Sequence, residues 1–144
     1  MRKDLSISDL GDLVELPLLA TLATYRRDGS VLLSPVWHEW RDDAFQIIVG
    51  RRDGKERHLR NDPRASVVLA ESDPPYRGVE LSGTVAFEED PGACLAALRR
   101  IAVRYLGQER GLAYAGDSGD GIVLLRLAPG KLRTWDFSDD AQLA

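Results

Sequence analysis

The stretch from Ile47 to Ser66, IIVGRRDGKERHLRNDPRAS, constrains this chain most, because it packs strand, turn, helix and strand into one short run. Ile47, Ile48 and Val49 are β-formers, and Gly50 breaks their run. Asp53-Gly54 is a turn signal, and Lys55 to Asn61 is rich in helix formers. Asp62-Pro63 ends that helix, since the residue before a proline is pushed out of the α region. Arg51, Arg52, Lys55, Arg57, Arg60 and Arg64 make the segment locally basic. A strand that feeds a cationic turn at a helix start is a place where a phosphate can sit. Charge alone leaves another reading open: a solvated face on which Asp53, Glu56 and Asp62 pair with the arginines.

The rest of the chain is acidic, with a net charge of −4, so the basic turn is a local feature. That balance argues against a general nucleic-acid binder, whose partner attracts strongly basic surfaces. The 144 residues are expected to form one domain, 1–144. Hydrophobic residues at 44% and charged ones at 29% suit a globular protein with a real core. Cys94 is the only cysteine, which leaves no intramolecular disulfide or cysteine-based zinc site and suits a reducing cytoplasm. His38 and His58 are the only histidines and lack metal-ligand spacing, so no metal site is expected. No apolar run approaches the roughly twenty residues that span a bilayer. The opening MRKDLSISD has no apolar core and does not read as a signal peptide, so a cytoplasmic location is expected.

From the N-terminus, Ser8 is placed to cap a short helix through Leu16, with Leu10, Leu13 and Val14 on one face. Leu18 to Tyr25 reads as a first strand, Arg26-Arg27-Asp28-Gly29 as a hairpin turn, and Ser30 to Trp40 as a second strand. Pro35 cannot donate to a ladder and marks an edge or a bulge. Ala44 to Val49 is a third strand, Ala65 to Ala70 a fourth, and Tyr76 to Glu88 a long fifth. Gly83 interrupts the fifth and suggests a bulge or a close backbone approach. Asp90-Pro91 starts a helix with an apolar stripe of Leu95, Leu98, Ala102 and Tyr105, widened by Ile101 and Leu106; Gly107 ends it. Gln108 to Gly121 reads as a mobile Gly-rich loop, Ile122 to Leu127 as a sixth strand, and Leu132 to Phe137 as a possible extension of the sheet. Consecutive hairpins with inserted helices, and no βαβ rhythm, imply a mainly β (α+β) fold. Its antiparallel sheet closes into a small barrel with helices outside.

Several segments resemble the split β-barrel flavin-binding family, the pyridoxamine-phosphate-oxidase-like flavin/deazaflavin oxidoreductases. They are LATLAT with Asp28-Gly29 behind it, SPVW at Ser34 to Trp37, GKERHLRNDPRAS from Gly54 to Ser66, and VELSGTVAF from Val79 to Phe87. The likeness covers roughly residues 10 to 137. It implies a six-stranded antiparallel split barrel of the FMN-binding type, and most resembles the branch that uses the deazaflavin coenzyme F420. FMN is the alternative cofactor, and some members bind haem or other tetrapyrroles. Family members are typically homodimers with cofactor sites at the interface and a small-molecule substrate. The implied activity is hydride transfer between the cofactor and a small organic substrate, such as a conjugated C=C bond; the alternatives are an FMN-dependent oxidoreductase of the same fold or a non-catalytic flavin- or tetrapyrrole-binding protein.

By match, Lys55 corresponds to the basic residue on the cofactor phosphate, and Arg57 to a further basic position. Arg51 and Arg52 fall where the third strand opens into the phosphate pocket. Ser34, Pro35, Val36 and Trp37 match the strand along the isoalloxazine ring, and Val49 and Gly50 the backbone passing the ring and ribityl chain. One position departs from the pattern: close deazaflavin-binding relatives often carry arginine two residues before the lysine, and here Asp53 stands there, opposing a phosphate. The resemblance assigns no catalytic side chain. His38 is a candidate proton donor because histidine titrates near neutrality, with a structural role as the alternative. Trp37 can stack at the ring or belong to the core. Tyr76 and Arg77 lie near the site in relatives, or anchor a loop. His58 is expected at the surface, Trp135 in the closing strand, and Cys94 buried and inert.

Overall fold

The computed structural model describes all 144 residues. Nine strands and three helices form around a main apolar cluster and a smaller one of Cys94, Ala97 and Leu124: β1 Arg2–Lys3, β2 Ala20–Tyr25, β3 Val31–Val36, β4 Glu39–Arg41, β5 Ala44–Gly50, α1 Gly54–Asn61, β6 Arg64–Ala70, β7 Gly78–Glu88, α2 Pro91–Leu106, α3 Gln108–Ala115, β8 Ile122–Leu127 and β9 Lys131–Asp136. All strand pairs are antiparallel, in the order β3-β2-β6-β7-β8-β5-β4, with β9 on the first half of β7 and β1 on β9. The sheet curls into a split half-barrel, the fold class expected from the sequence, with more and shorter strands. No helix is long and apolar enough to cross a membrane.

The split runs through β7. Gly78 to Thr84 pairs with β6, whereas Val85 to Glu88 pairs with β8. The changeover falls just past Gly83, where a Cβ would sit 2.6 Å from the Ala128 carbonyl oxygen. The interruption read from the sequence is thus a close backbone approach. Leu22, Phe45, Ile47, Val67, Leu69, Val79, Leu81 and Leu125 fill the space between the two halves, and Leu59 of α1 joins them.

Local chemistry sets the long helix and the main hairpin. Asp90 caps α2 through the Ala93 N–H at 2.9 Å, Pro91 occupies its first turn, and Gly107 at φ 85° ends it. In the β2–β3 turn Gly29 takes φ 86°, and the Asp28 carboxylate accepts from the Ser30 N–H and hydroxyl.

Three segments differ from the sequence reading. Ser8 to Leu16 is not one helix but two 3-10 turns, Ser8–Leu10 and Leu13–Glu15. Gly11 at φ 65° separates them, and Arg77 reaches in to the Leu10 carbonyl at 2.7 Å, which an unbroken helix would have used internally. Leu10, Leu13 and Val14 are nevertheless buried together.

Ser30 to Trp40 is not one strand. It breaks at Trp37-His38 into β3 and β4, at opposite ends of the sheet order. The His38 N–H donates to the Tyr105 hydroxyl at 3.1 Å and its carbonyl accepts from Arg104, so helix side chains satisfy the backbone there instead of a neighbouring strand. Pro35 lies on the edge strand, where its missing N–H breaks no ladder.

The Gly-rich segment after α2 contains α3. Its glycine serves helix packing: a Cβ at Gly111 would stand 2.6 Å from the Val103 Cα and N. The N-terminal β1, unanticipated, pairs Arg2 with Asp136 and Lys3 with Trp135.

Candidate functional site

A groove of about 480 Å³ opens where the end of β3, the end of β5 and the start of α1 meet α2, α3 and β8. Pro35, Val36, Ile48, Leu98, Ile101 and Ile122 give it apolar walls, and Trp37, Tyr114, Gly50 and Lys55 complete it. Trp37 stacks on Tyr105 with 4.9 Å between centroids and planes 6° apart, and meets Tyr114 at 5.2 Å. The β3 break therefore turns Trp37 toward the helices. Gly50 is open above its Cα, with no atom within 4 Å of a Cβ there, so bare backbone faces the groove.

Lys55 supplies the single cation of the lining, and its neighbour Asp53 is tied to it. The Asp53 carboxylate caps α1 through the Lys55 N–H at 2.8 Å and pairs with its ammonium at 3.0 Å. Burial works against the Asp53 charge, but the Lys55 N–H and ammonium outweigh it and hold the carboxyl below its ordinary range. The charge expected to oppose a phosphate thus also occupies the lysine expected to bind it.

Pro35, Val36, Trp37, Gly50 and Lys55 line the groove, as the sequence reading grouped them. The other residues in that grouping do not. Val49 points into the core at 3% exposure, because strand alternation gives the groove to Ile48 and Gly50. Ser34 lies one residue short of the groove lining. Arg51 turns to Glu89 at 3.1 Å. Arg52, at φ 70°, is exposed, and its carbonyl accepts from Arg57 at 2.7 Å. Arg57 lines a separate cavity, which follows from its place two residues after Lys55: positions i and i+2 of a helix do not face each other.

His38 is fully buried and does not line the groove. The Tyr105 hydroxyl donates to the Leu18 carbonyl at 2.6 Å, which leaves the His38 Nδ1–H to donate to that hydroxyl at 3.0 Å. Its Nε2 has no partner. Burial, with Arg104 nearby, lowers the His38 pKa to about 4, so the ring is neutral at physiological pH. Its structural reading holds, and it is not placed to deliver a proton in the groove. Burial also raises the Tyr105 pKa.

Arg77 is a loop anchor, joining Glu71, Asp12 at 2.8 Å and the Leu10 carbonyl. Cys94 is buried, donates to the Glu88 carbonyl, and has its pKa pushed up, chiefly by burial. Sequence reasoning missed Tyr114, since glycines around it read as loop, and left Leu98 and Ile101 as core although their stripe also faces the groove. With apolar walls, two aromatic side chains, exposed backbone and one cation at the rim, the groove can hold a flat ring system carrying an anionic group. It presents no side-chain acid–base pair.

The model of the family described as pyridoxamine 5'-phosphate oxidase matches residues 9–136. The chain belongs to that family. The family binds flavins and includes oxidoreductases. Among solved structures, the fold is shared with the conserved hypothetical protein Rv2991 from Mycobacterium tuberculosis, at 26% identity and a TM-score of 0.81, over 93% of this chain and 86% of that one. An F420 reductase matches at 24% identity and a TM-score of 0.72, over 84% and 93%. The FAD and heme binding protein from Mycobacterium smegmatis matches at 21% and 0.77, over 99% and 78%. No curated protein sequence matches the chain.

Proposed function

We propose that the groove binds a flavin-type cofactor, coenzyme F420 in preference to FMN, and that the protein is an F420-dependent oxidoreductase acting on a small organic substrate in the cytoplasm. The observation that carries this reading is the groove itself: an apolar slot beside the open backbone of Gly50, with Lys55 at its rim. The residues present fit a flavin-like group. Pro35, Val36 and Trp37 would lie along the ring, Gly50 would allow close backbone approach, and Lys55 would meet the phosphate. The bound cofactor supplies the hydride chemistry, and the protein binds and orients it and excludes water. The likeness to an F420 reductase supports the choice of deazaflavin. A haem held by histidine is disfavoured, because neither His38 nor His58 lines the groove.

Titration of the protein with F420 and, separately, with FMN, read by cofactor fluorescence, tests the reading. Tighter binding of F420 supports it, preference for FMN moves the assignment to an FMN-dependent enzyme, and binding of neither rejects both. Lys55→Ala is expected to weaken cofactor binding at least tenfold, since a charge-assisted contact contributes ~1.5–3 kcal/mol. Asp53→Asn keeps an N-cap side chain and frees the lysine, so it is expected to tighten binding several-fold. Unchanged affinity in both variants would reject the phosphate pocket.

The chain is further proposed to act as a homodimer. β3 is an edge strand, and Val31 and Leu33 on its outer side are 45% and 65% exposed, with Pro35 beside them. A second copy would cover this apolar edge. Sedimentation at micromolar concentration should give twice the chain mass; a monomer would exclude an interface site.

A further inference from the structure

We propose that the cavity between the β2–β3 hairpin and α1 is a second anion site, separate from the groove. It binds a small molecule carrying two or more negative charges on phosphoryl or carboxyl groups. The cavity, about 290 Å³, is lined by Tyr25, Arg26, Arg27, Arg57, His58 and Asn61. Three arginines therefore line one pocket of a protein whose net charge is −4.

Lack of an ion pair together with a shared cavity sets these arginines apart. On the basic segment Lys55 pairs with Asp53, Arg51 and Arg60 with Glu89, and Arg64 with Asp62; Arg52 is unpaired too but does not line the cavity. Arg26, Arg27 and Arg57 have no carboxylate within ion-pair distance. Two of them are held by neutral acceptors. Arg26 donates to the Val31 carbonyl at 3.1 Å and the Ser30 hydroxyl at 3.3 Å, and Arg57 to the Arg52 carbonyl at 2.7 Å. A carbonyl orients a guanidinium without cancelling its charge, so the donors are preorganised and the positive potential remains.

The nearby acids form no ion pair with the cluster. Asp28 feels the Arg26 charge and Asp53 the Arg57 charge, but Asp28 is hydrogen-bonded to the Ser30 N–H and hydroxyl, and Asp53 is paired with Lys55. His58 is held through its Nδ1 against the buried Thr24 hydroxyl at 3.3 Å and lines the cavity. Forked guanidinium donors match phosphate and carboxylate oxygens two at a time, and a single charge would leave the cluster under-neutralised. The arginines are exposed, so binding will weaken as salt screens it.

Calorimetric titration with sodium pyrophosphate and, separately, with citrate tests this on the full chain, on Arg26→Gln/Arg27→Gln and on Lys55→Ala. The Arg26/Arg27 pair lies on an exposed turn, and circular dichroism is to check that the variant folds; Arg57→Gln on α1 serves as an independent second variant. Pyrophosphate is expected to bind the parent protein and Lys55→Ala alike, at least tenfold more weakly to the arginine variants, and less tightly at higher salt. The tighter of the two probes assigns the chemistry as phosphoryl or carboxyl. Absence of binding to the parent protein at millimolar concentration overturns the proposal. So does loss on Lys55→Ala, which would put the anion in the groove. Because the probes are not flavins, a negative F420 titration leaves this result intact.

Discussion

Gly111→Val is expected to lower the melting temperature by roughly 10 °C and to detach α3 from the groove. The added side chain has no room: its Cβ would stand 2.6 Å from the Val103 N and Cα and 2.8 Å from the Ala102 carbonyl carbon, all backbone atoms of a helix that cannot yield as a side-chain tip would. Overpacking typically costs ~1–3 kcal/mol, and this clash lies at the upper end. For a chain of this size that corresponds to about 3 °C per kcal/mol. α3 carries Tyr114, which touches Trp37 at 5.2 Å and walls the groove, so the loss of stability comes with a change at the site. Thermal unfolding followed by tryptophan emission reads both. An unchanged melting temperature with unchanged emission would mean that α3 does not depend on this contact.

Acid should destabilise the fold through His38 before most carboxylates protonate. The ordinary imidazole pKa of 6.5 falls to about 4 in the fold, because burial, and then Arg104, disfavours the charged ring. The unfolded chain therefore binds the proton more readily than the native one. The contribution of the neutral ring is fully present above pH 6.5 and is lost as pH falls from 6.5 toward 4. A change of that size corresponds to roughly 3 kcal/mol. The Tyr105 hydroxyl, Arg104, the Phe45 ring and the Val14 and Leu18 backbone face the imidazole; the backbone groups favour its protonation, but burial and Arg104 outweigh them and no carboxylate is among them. Urea unfolding from pH 7.5 to 4 should show this loss in the parent protein. In His38→Gln, less stable at neutral pH, the slope should be flatter by about that amount. Equal slopes would mean that the ring is charged or solvated in the native state.

Much of the candidate site was legible. The Asp53-Gly54 turn after the Ile47 to Val49 run placed Lys55 at a helix start beside a strand end, and that is where it lies. The pattern could not separate residues that share a segment but not a direction. Arg57 faces another cavity because of helical period, and Val49 faces the core because of strand alternation. Both periods were available in the sequence. The turn of Arg51 toward Glu89 was not, since it depends on a residue 38 positions away.

Short-range sterics and capping wrote several element boundaries directly into the chain. Asp28-Gly29 made the hairpin, Asp62-Pro63 stopped α1, and Asp90-Pro91 and Gly107 bounded α2. The apolar alternation chose an antiparallel sheet. Long-range packing set where β3 ends, made α3 a helix rather than a loop, and divided the basic segment between two cavities. His38 leaves the strand because Tyr105 and Arg104, far along the chain, take its backbone groups. α3 exists because Gly111 lets it lie against α2. These outcomes rest on contacts between residues distant in sequence, whose energies appear only once the packing brings them together.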